Sequence, residues 1–548
     1  MKNRIKTVEL NNTKDKNWTW ILLAVSMIII VLLRSRVAAM PFERDEGEFA
    51  YMGQLILKGL MPYTDGYNMK LPGTYWMYAG IIKIFGSSPT AIHTGVTLTT
   101  LMTMAMIFYF LKQVFNSTIA LTTAFIFGLM VSAKSTLGFA GHATHFVTLF
   151  MVAGLVCWYQ WQKSNKILYV LIFGIMMGFS FLMKQQGVFF IIFGGILTLY
   201  TLYEKDNFSF LPFIKSGLLY TLGVFIPYLL TILWILTFGD FDKFWFWTVE
   251  YATKYTTSVV QLKDAPMMFY LSFSSMWKEF PLVWISAIGG LAVIWKSNWD
   301  RNLKIFALLF FIFSFLTICP GMYFRQHYFI TWIPSLALLV GIFYDFLAQK
   351  IFNSSTDSPK GFILASVFLA VILGYSIKHN KPYWISMPIN NVSKDIYGTN
   401  PFVESKEIAS YIKRNSSPDD KIAILGSEPQ ILVYADRISA TGHIYTYGMM
   451  EKQDYNVKMQ EEMIREIEKN KPKFIVFVKV GLSWMEYPDS PRKIFEWMPQ
   501  YIDKNYEMKG QIEVSNEHKG EFYWDEKATN RQPSSENHIV VFKRKDGI

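Results

Sequence analysis

Apolar runs broken by short polar loops fill about the first 380 residues of the chain. They lie near Trp18–Ala39, Ala91–Phe110, Thr118–Ser132, Phe146–Trp161, Ile167–Met183 and Val188–Tyr203. Five more lie near Gly217–Phe238, Phe280–Trp295, Ile305–Pro320, Tyr328–Phe346 and Phe362–Ile377. Within them apolar residues are continuous rather than alternating, which excludes barrel strands and leaves helices to satisfy the backbone in lipid. The pattern predicts a polytopic α-helical membrane protein with about eleven spans, some shorter than the ~20 residues a bilayer ideally takes. From about Lys378 the pattern changes. "KIAILG" (421–426), "KFIVFV" (473–478) and "HIVVF" (538–542) read as buried strands. "VESKEIASYIKR" (403–414) and "KMQEEMIREIEKN" (458–470) read as amphipathic helices. Residues 379–548 are therefore expected to form an α/β domain with a partly parallel sheet. The expected organisation is a tail over 1–17, a membrane domain over 18–378 with outer loops at 40–90 and 239–279, and this C-terminal domain.

Composition agrees with a membrane protein. Hydrophobic residues make up 52% and charged residues 17%, below the quarter usual in soluble chains. The formal charge of +11 follows from cations gathered on one side. Lys2, Arg4, Lys6, Lys14 and Lys16 precede the first run. Lys112, Lys163, Lys166, Lys205, Lys215, Lys296, Arg301, Lys304, Lys350 and Lys360 fall on alternate loops of the same side. That side is assigned to the cytoplasm, and an odd span count places the C-terminal domain outside. The first run lacks a clean cleavage site and is read as a retained helix. No basic patch interleaved with aromatics suggests nucleic acid, and no P-loop or GxGxxG suggests a nucleotide. Cys157 and Cys319 sit in apolar runs, with neither a disulfide framework nor zinc-ligand spacing. The aromatic segment 241–277 suits either an interfacial helix pair or a lid over a lipid cavity.

Five cations fall on the side opposite the cytoplasmic set: Arg44, Lys70, Lys134, Lys184 and Arg325. Each alone could snorkel to a headgroup. Together they suit a phosphate ligand, to which Lys offers a point charge and Arg a two-pronged fork. Beside two of them stands "ERDEGEFAY" (43–51). Asp45 as N-cap with Glu48 at capping-box spacing would start a short helix on the membrane surface. Phe49, Met52 and Ile56 would share its face and Gly59 would end it. Capping then leaves Glu46 and the nearby Lys70 unexplained, and a carboxylate beside a lipid phosphate suits general-base work on a hydroxyl.

An Asp-Glu pair after the first run, a surface helix and "NMKLPGTYW" (68–76) together resemble the first loop of the GT-C glycosyltransferases. The bacterial relatives of protein O-mannosyltransferases and of the lipid A aminoarabinose transferase are the nearest in kind. "IIKIFGSSPTAIHTGVTLTTLMT" (81–103), "GIMMGFSFLMKQQGVFF" (174–190) and "RQHYFITWIPSLALLVG" (325–341) continue the resemblance. It implies transfer of a sugar, with inversion, from a polyprenyl-phosphate carrier to a lipid, protein or envelope-glycan acceptor at the outer face of a bacterial cytoplasmic membrane. By the same resemblance Asp45 matches the essential first-loop acid and Glu46 its neighbour. Lys70 matches the lysine of a Lys-Pro element, here split by Leu71, and Lys184 the lysine after the fifth span. Arg44, Arg325 and His327 complete the expected carrier-phosphate set. The second outer loop departs from the family pattern: in place of an acid it carries His142 and His145, at a spacing that suits a metal or a phosphate.

The mechanism expected from this is electrostatic. Cations hold the phosphate and stabilise charge growing on it, while Asp45 or Glu46 takes the acceptor proton. No cofactor is required and a divalent metal is optional. The alternative function is a transporter or flippase of lipid-linked sugars, though no internal repeat of the transporter kind is evident.

Overall fold

The computed structural model describes residues 18–206, 210–258, 262–354, 357–516 and 519–546. The predicted tail, with Lys2 to Lys16, lies outside the described residues. Along the chain run α1 (Trp18–Ser35), α2 (Arg44–Leu57), α3 (Gly73–Phe85), α4 (Pro89–Val114), α5 (Ser117–Met130), α6 (Ala143–Ser164), α7 (Leu168–Met183), α8 (Val188–Asp206) and α9 (Phe210–Phe238). Two short helices, α10 (Phe241–Trp245) and α11 (Ala252–Ser258), precede α12 (Ala265–Glu279), α13 (Pro281–Val293), α14 (Arg301–Leu316), α15 (Ile333–Phe352) and α16 (Pro359–His379). Each of the eleven predicted apolar runs falls on one of these helices. Six described helices are long and apolar enough to cross a membrane, or seven if the pair at 262–296, bent by 105°, is one span. Others, such as α1, α5 and α7, are shorter.

The described residues divide into two compact units. The first holds residues up to 37, 95–232 and 260–385. Its centre is α15, packed against α5, α13 and α16. α5 is buried along nearly its whole length, from Thr118 to Met130. α9 instead shows lipid-type residues outward: Leu218, Leu222, Phe225 and Leu229 are all more than half exposed. Such continuous apolar exposure suits hydrocarbon and not water.

Buried charge in this unit is spent on irregular backbone. Arg34, at the end of α1, donates to the carbonyls of Val131 (3.0 Å), Gly138 (2.9 Å) and Phe139 (3.1 Å). Glu279 accepts from the Ser135 amide at 3.1 Å and the Ser376 hydroxyl at 3.3 Å. The Tyr383 hydroxyl donates to the Ser132 carbonyl at 2.8 Å. Residues 131–139 leave helical geometry among apolar helices, so their amides and carbonyls need these partners.

The second unit holds residues 38–94, 233–258, 386–516 and 519–546 of the described chain. It thus groups most of the segment after α1 and part of the segment after α9 with the C-terminal residues. Further helices here are α17 (Ile389–Tyr397), α18 (Phe402–Arg414), α19 (Gln430–Ala435), α20 (Tyr447–Met450) and α21 (Asn456–Asn470). The sheet has five strands, β1 (Ile422–Leu425), β2 (Phe474–Lys479), β3 (Tyr506–Glu513), β4 (Glu521–Trp524) and β5 (His538–Arg544), in the order β1-β2-β5-β3-β4. β1 and β2 are parallel, with Ile424 beside Val476, and the remaining pairs are antiparallel. The three predicted strands are β1, β2 and β5. β3 carries polar or charged residues at alternate positions and is broken by a bulge between Met508 and Gly510, while β4 has only four residues and lies at an edge. None of this leaves an apolar run to read.

α2 differs from its predicted form. Its N-cap is Glu43 and not Asp45: the Glu43 carboxylate accepts from the Glu46 amide at 2.9 Å, and the Glu46 carboxylate accepts from the Glu43 amide at 3.4 Å. Lys58 is the C-cap, one residue before Gly59. Nor is α2 a half-exposed surface helix, because Glu46 to Leu55 are all buried. Gly47 and Gly53 allow this. A Cβ on Gly47 would meet the Gln430 backbone nitrogen at 2.6 Å, and one on Gly53 the Ala79 nitrogen at 2.9 Å. Only glycine lets α19 and α3 approach so closely.

Candidate active site

The capping box fixes which acids of α2 remain for chemistry. Glu46 is consumed by it and by His93, whose Nε2 lies 2.9 Å from its other oxygen. It is fully buried. Asp45 and Glu48, three residues apart, share a face one helical turn apart. Between them sits the Lys70 ammonium, 3.0 Å from Asp45 Oδ1 and 2.5 Å from Glu48 Oε2. Tyr445 donates to Asp45 Oδ1 at 2.9 Å, and Tyr75 to Glu48 Oε1 at 3.0 Å. Lys70 also lies 4.5 Å over the Phe49 ring. Its backbone is held by the Tyr63 hydroxyl, which donates to the Lys70 carbonyl at 2.7 Å. Pro72, two residues on, caps α3. The inserted Leu71 is buried.

The two carboxylates differ in surroundings. The Asp45 side chain is 20% exposed and that of Glu48 is fully buried. Burial pushes Glu48 up to about 7, with Lys70 and Tyr75 pulling it the other way. Burial works against the Lys70 charge, but Asp45 and Glu48 outweigh it and hold the ammonium protonated above the usual lysine range. Asp45 is thus the acid that both meets solvent and has two fixed donors on one oxygen.

Arg44 is placed otherwise. Nε donates to the Ser427 carbonyl at 2.5 Å, Nη1 to the Tyr447 hydroxyl at 2.5 Å, and Nη2 to Asn400 at 3.0 Å and Glu428 at 2.8 Å. It is buried, and so is Glu428. Its fork is taken up within this unit.

The first unit gathers others of the predicted residues. His142 is the N-cap of α6, and its ring stacks on His327 at 3.8 Å with a 10° tilt. The Tyr328 ring stands edge-on to His327 at 4.8 Å, and the Lys184 ammonium lies 3.6 Å over Tyr328. Arg325 is exposed, with its guanidinium 5.3 Å from the Tyr323 ring. His145 is buried one turn further along α6, and Lys134 opens the short helix Lys134–Thr136 within the loop clasped by Arg34 and Glu279. The pairing of His142 is therefore with a residue 185 positions away rather than with its i+3 neighbour. Sequence reasoning missed Glu48 as a site residue, because it was assigned to capping. It also missed Tyr445, Tyr75 and Tyr328, which carry no local signal.

Comparison with known proteins matches part of the chain to a family and most of it to solved folds. Residues 70–234 match the model of the dolichyl-phosphate-mannose-protein mannosyltransferases. Over 96% of this chain and 98% of the other, the fold resembles ArnT from Cupriavidus metallidurans bound to undecaprenyl phosphate, at 14% identity and a TM-score of 0.58. The chain has an ArnT-like fold. The apo form of the same ArnT gives a TM-score of 0.54 at 14% identity, over the same shares of each chain. The archaeal oligosaccharyltransferase AglB from Archaeoglobus fulgidus, in complex with an inhibitory peptide and a dolichol-phosphate, gives 0.50 at 12% identity, over 97% of this chain and 76% of that one. No curated protein sequence matches the chain. The resemblance read from the sequence is thus found again in the fold, and the chain reads as a multi-pass membrane protein. The family match starts at Lys70, so it takes in the lysine of the site but not Asp45.

Proposed function

We propose that this GT-C protein is a glycosyltransferase that moves a sugar, with inversion, from a polyprenyl-phosphate carrier to an acceptor hydroxyl. We place the reaction at the outer face of a bacterial cytoplasmic membrane, with the N-terminus cytoplasmic and the sheet domain extracytoplasmic. The acceptor is a lipid, a protein or an envelope glycan. The observation that carries this reading is the Asp45–Lys70 pair: a partly exposed carboxylate whose one oxygen is held by Lys70 and Tyr445. Those bonds fix the carboxylate, which takes a proton from an acceptor hydroxyl that arrives within hydrogen-bond reach. Lys70, with two of its three N–H groups on carboxylates, keeps a third for a ligand oxygen. Lys184, Arg325 and His327 hold the carrier phosphate and stabilise its growing charge as the sugar bond breaks, and His142 braces the His327 ring by stacking. Phosphate is a good leaving group, so no nucleotide is needed, and a divalent metal remains optional. In this reading Arg44 and Glu46 are structural and Asp45 is the base.

The test is a transfer assay with a labelled polyprenyl-phosphate sugar and the purified full-length protein. Label moving to an acceptor, and Asp45→Ala abolishing it, is the expected result. Full transfer by Asp45→Ala would end the base assignment. Movement of intact carrier across vesicles without transfer would favour the flippase instead.

A further inference from the structure

The second unit holds a groove away from Asp45, of about 420 Å³ and lined by Ser87, Ser88, Lys406, Lys413, Tyr434 and Asp436 among others. Lys406 and Lys413 lie two turns apart on α18 and so share a face. Neither is in an ion pair among the described residues, and the acids around them are already engaged. Glu404 is paired with Lys394 at 2.9 Å, Glu407 with Lys519 at 2.6 Å, and Asp436 with Lys58 at 2.8 Å. Among the described residues the Lys406 ammonium meets only a carbonyl, that of Ala39, at 3.3 Å. Burial lowers its pKa. A partly buried cation with a carbonyl and no counter-charge is costly unless an anion completes it.

The groove also offers neutral donors. The Ser88 hydroxyl accepts from the Ala91 amide and the Tyr434 hydroxyl from the Phe42 amide, which leaves each O–H proton to donate elsewhere. Two cations with hydroxyl donors suit a tetrahedral, doubly accepting anion better than a carboxylate. Position suggests where that anion comes from. Ala39 follows α1, and Pro89 begins α4, a helix long and apolar enough to cross a membrane. Just before the groove, at the end of α3, Ile84 is 73% exposed and Phe85 43%. An apolar rim beside a cationic groove is the arrangement that holds a headgroup while the acyl chains stay in hydrocarbon.

We propose that the groove between the α3–α4 turn and α18 binds the phosphate group of an anionic phospholipid, separately from the carrier. The same chemistry would accept free phosphate, and the experiment distinguishes the two. Detergent-solubilised full-length protein is titrated with short-chain phosphatidylglycerol or phosphatidylcholine and read by native mass spectrometry. Inorganic phosphate is titrated in parallel by calorimetry. Wild type is expected to retain phosphatidylglycerol over phosphatidylcholine, and Lys406→Gln/Lys413→Gln to weaken that retention about tenfold. Lys406→Arg/Lys413→Arg, which keeps both charges, is expected to retain the lipid. Lys413 is exposed, so Lys413→Gln alone gives a reading, at a smaller loss, even if the double variant folds poorly. Tighter binding of inorganic phosphate than of the lipid, lost in the Gln variants, would keep the phosphate site and reject the lipid as its source. Equal binding of both probes by wild type and Gln variants would overturn the proposal.

Discussion

Arg44 and Asp45 are neighbours in the chain, yet they belong to two charge clusters of opposite kind. The Arg44–Glu428 pair is closed: both side chains are buried, and the guanidinium spends its donors on Glu428, Asn400, Tyr447 and the Ser427 carbonyl. The Asp45–Lys70 pair is ajar, with side chains 20% and 21% exposed. About 100° of helix separates a closed cluster from a partly open one. The difference teaches that charge type and sequence position do not identify a catalytic group here. What does is whether a charged group still meets solvent once its neighbours are in place.

The comparison breaks if both clusters respond alike to mutation. Asp45→Asn keeps an oxygen for Lys70 and Tyr445, so the unit should melt near the wild-type temperature. Transfer from a labelled polyprenyl-phosphate sugar should fall by about 10²- to 10⁴-fold, the usual weight of a general base. Arg44→Ala should do the reverse. It leaves Glu428 as an uncompensated buried charge, at a cost of about 3–5 kcal/mol. Thermal or denaturant unfolding of the purified protein would show it, and whatever remains folded should keep its turnover per molecule. A stable Arg44→Ala protein with no activity would reverse the two assignments.

How far this contrast could be read beforehand depends on the range of the interactions. Apolar helices were legible because lipid demands continuous hydrophobic runs, and β1, β2 and β5 because buried strands are apolar throughout. The acids of α2 were not. Glu43 with Glu46 and Asp45 with Glu48 both have capping-box spacing, so local pattern alone permits either start. The chain's entry past the buried Phe42, which stacks on Tyr434 at 5.3 Å, accompanies the earlier start. Once the helix begins at Arg44, Glu46 points to His93, and Asp45 and Glu48 point to Lys70. Glu428 and Tyr445 come from nearly 400 residues away, and the His142–His327 stack joins two loops that carry no common motif. Residues 131–139 were legible only as a polar loop. That Arg34 and Glu279 hold its backbone follows from unsatisfied amides and carbonyls, which a sequence does not display.

A gentler probe removes one donor from the open cluster. Tyr445→Phe leaves the ring in place and takes away the hydrogen bond to Asp45 Oδ1. Transfer should fall about tenfold, since one bond to a charged group is worth about 1.5–3 kcal/mol and Lys70 still holds the same oxygen. If Asp45 is the base, the pH profile should shift as well, because a carboxylate with fewer donors is more basic. The acid limb of kcat/KM should move to higher pH. A fall in rate with an unmoved profile would make Tyr445 a support for the fold and no more.

The smallest effect tests the buried half of the open cluster. Burial raises Glu48 from its ordinary 4.5 to about 7. The folded state therefore binds a proton more tightly than the unfolded state. Stability from this group is fully present below about 4.5 and is lost as pH rises towards about 7, because the carboxyl must then ionise in a dry site. Glu48→Gln cannot ionise, so its stability should lack that decline, and the difference between wild type and variant should change steadily across this window. Denaturant unfolding at several pH values reads it directly. A curve parallel to wild type would mean that Glu48 is already ionised against Lys70 in the folded protein. Lys70 would then face two full carboxylates instead of one, with its charge bound more tightly to the helix and less of it left for a ligand oxygen. The distinction between a sealed strut and a reactive edge would then have to rest on Asp45 alone.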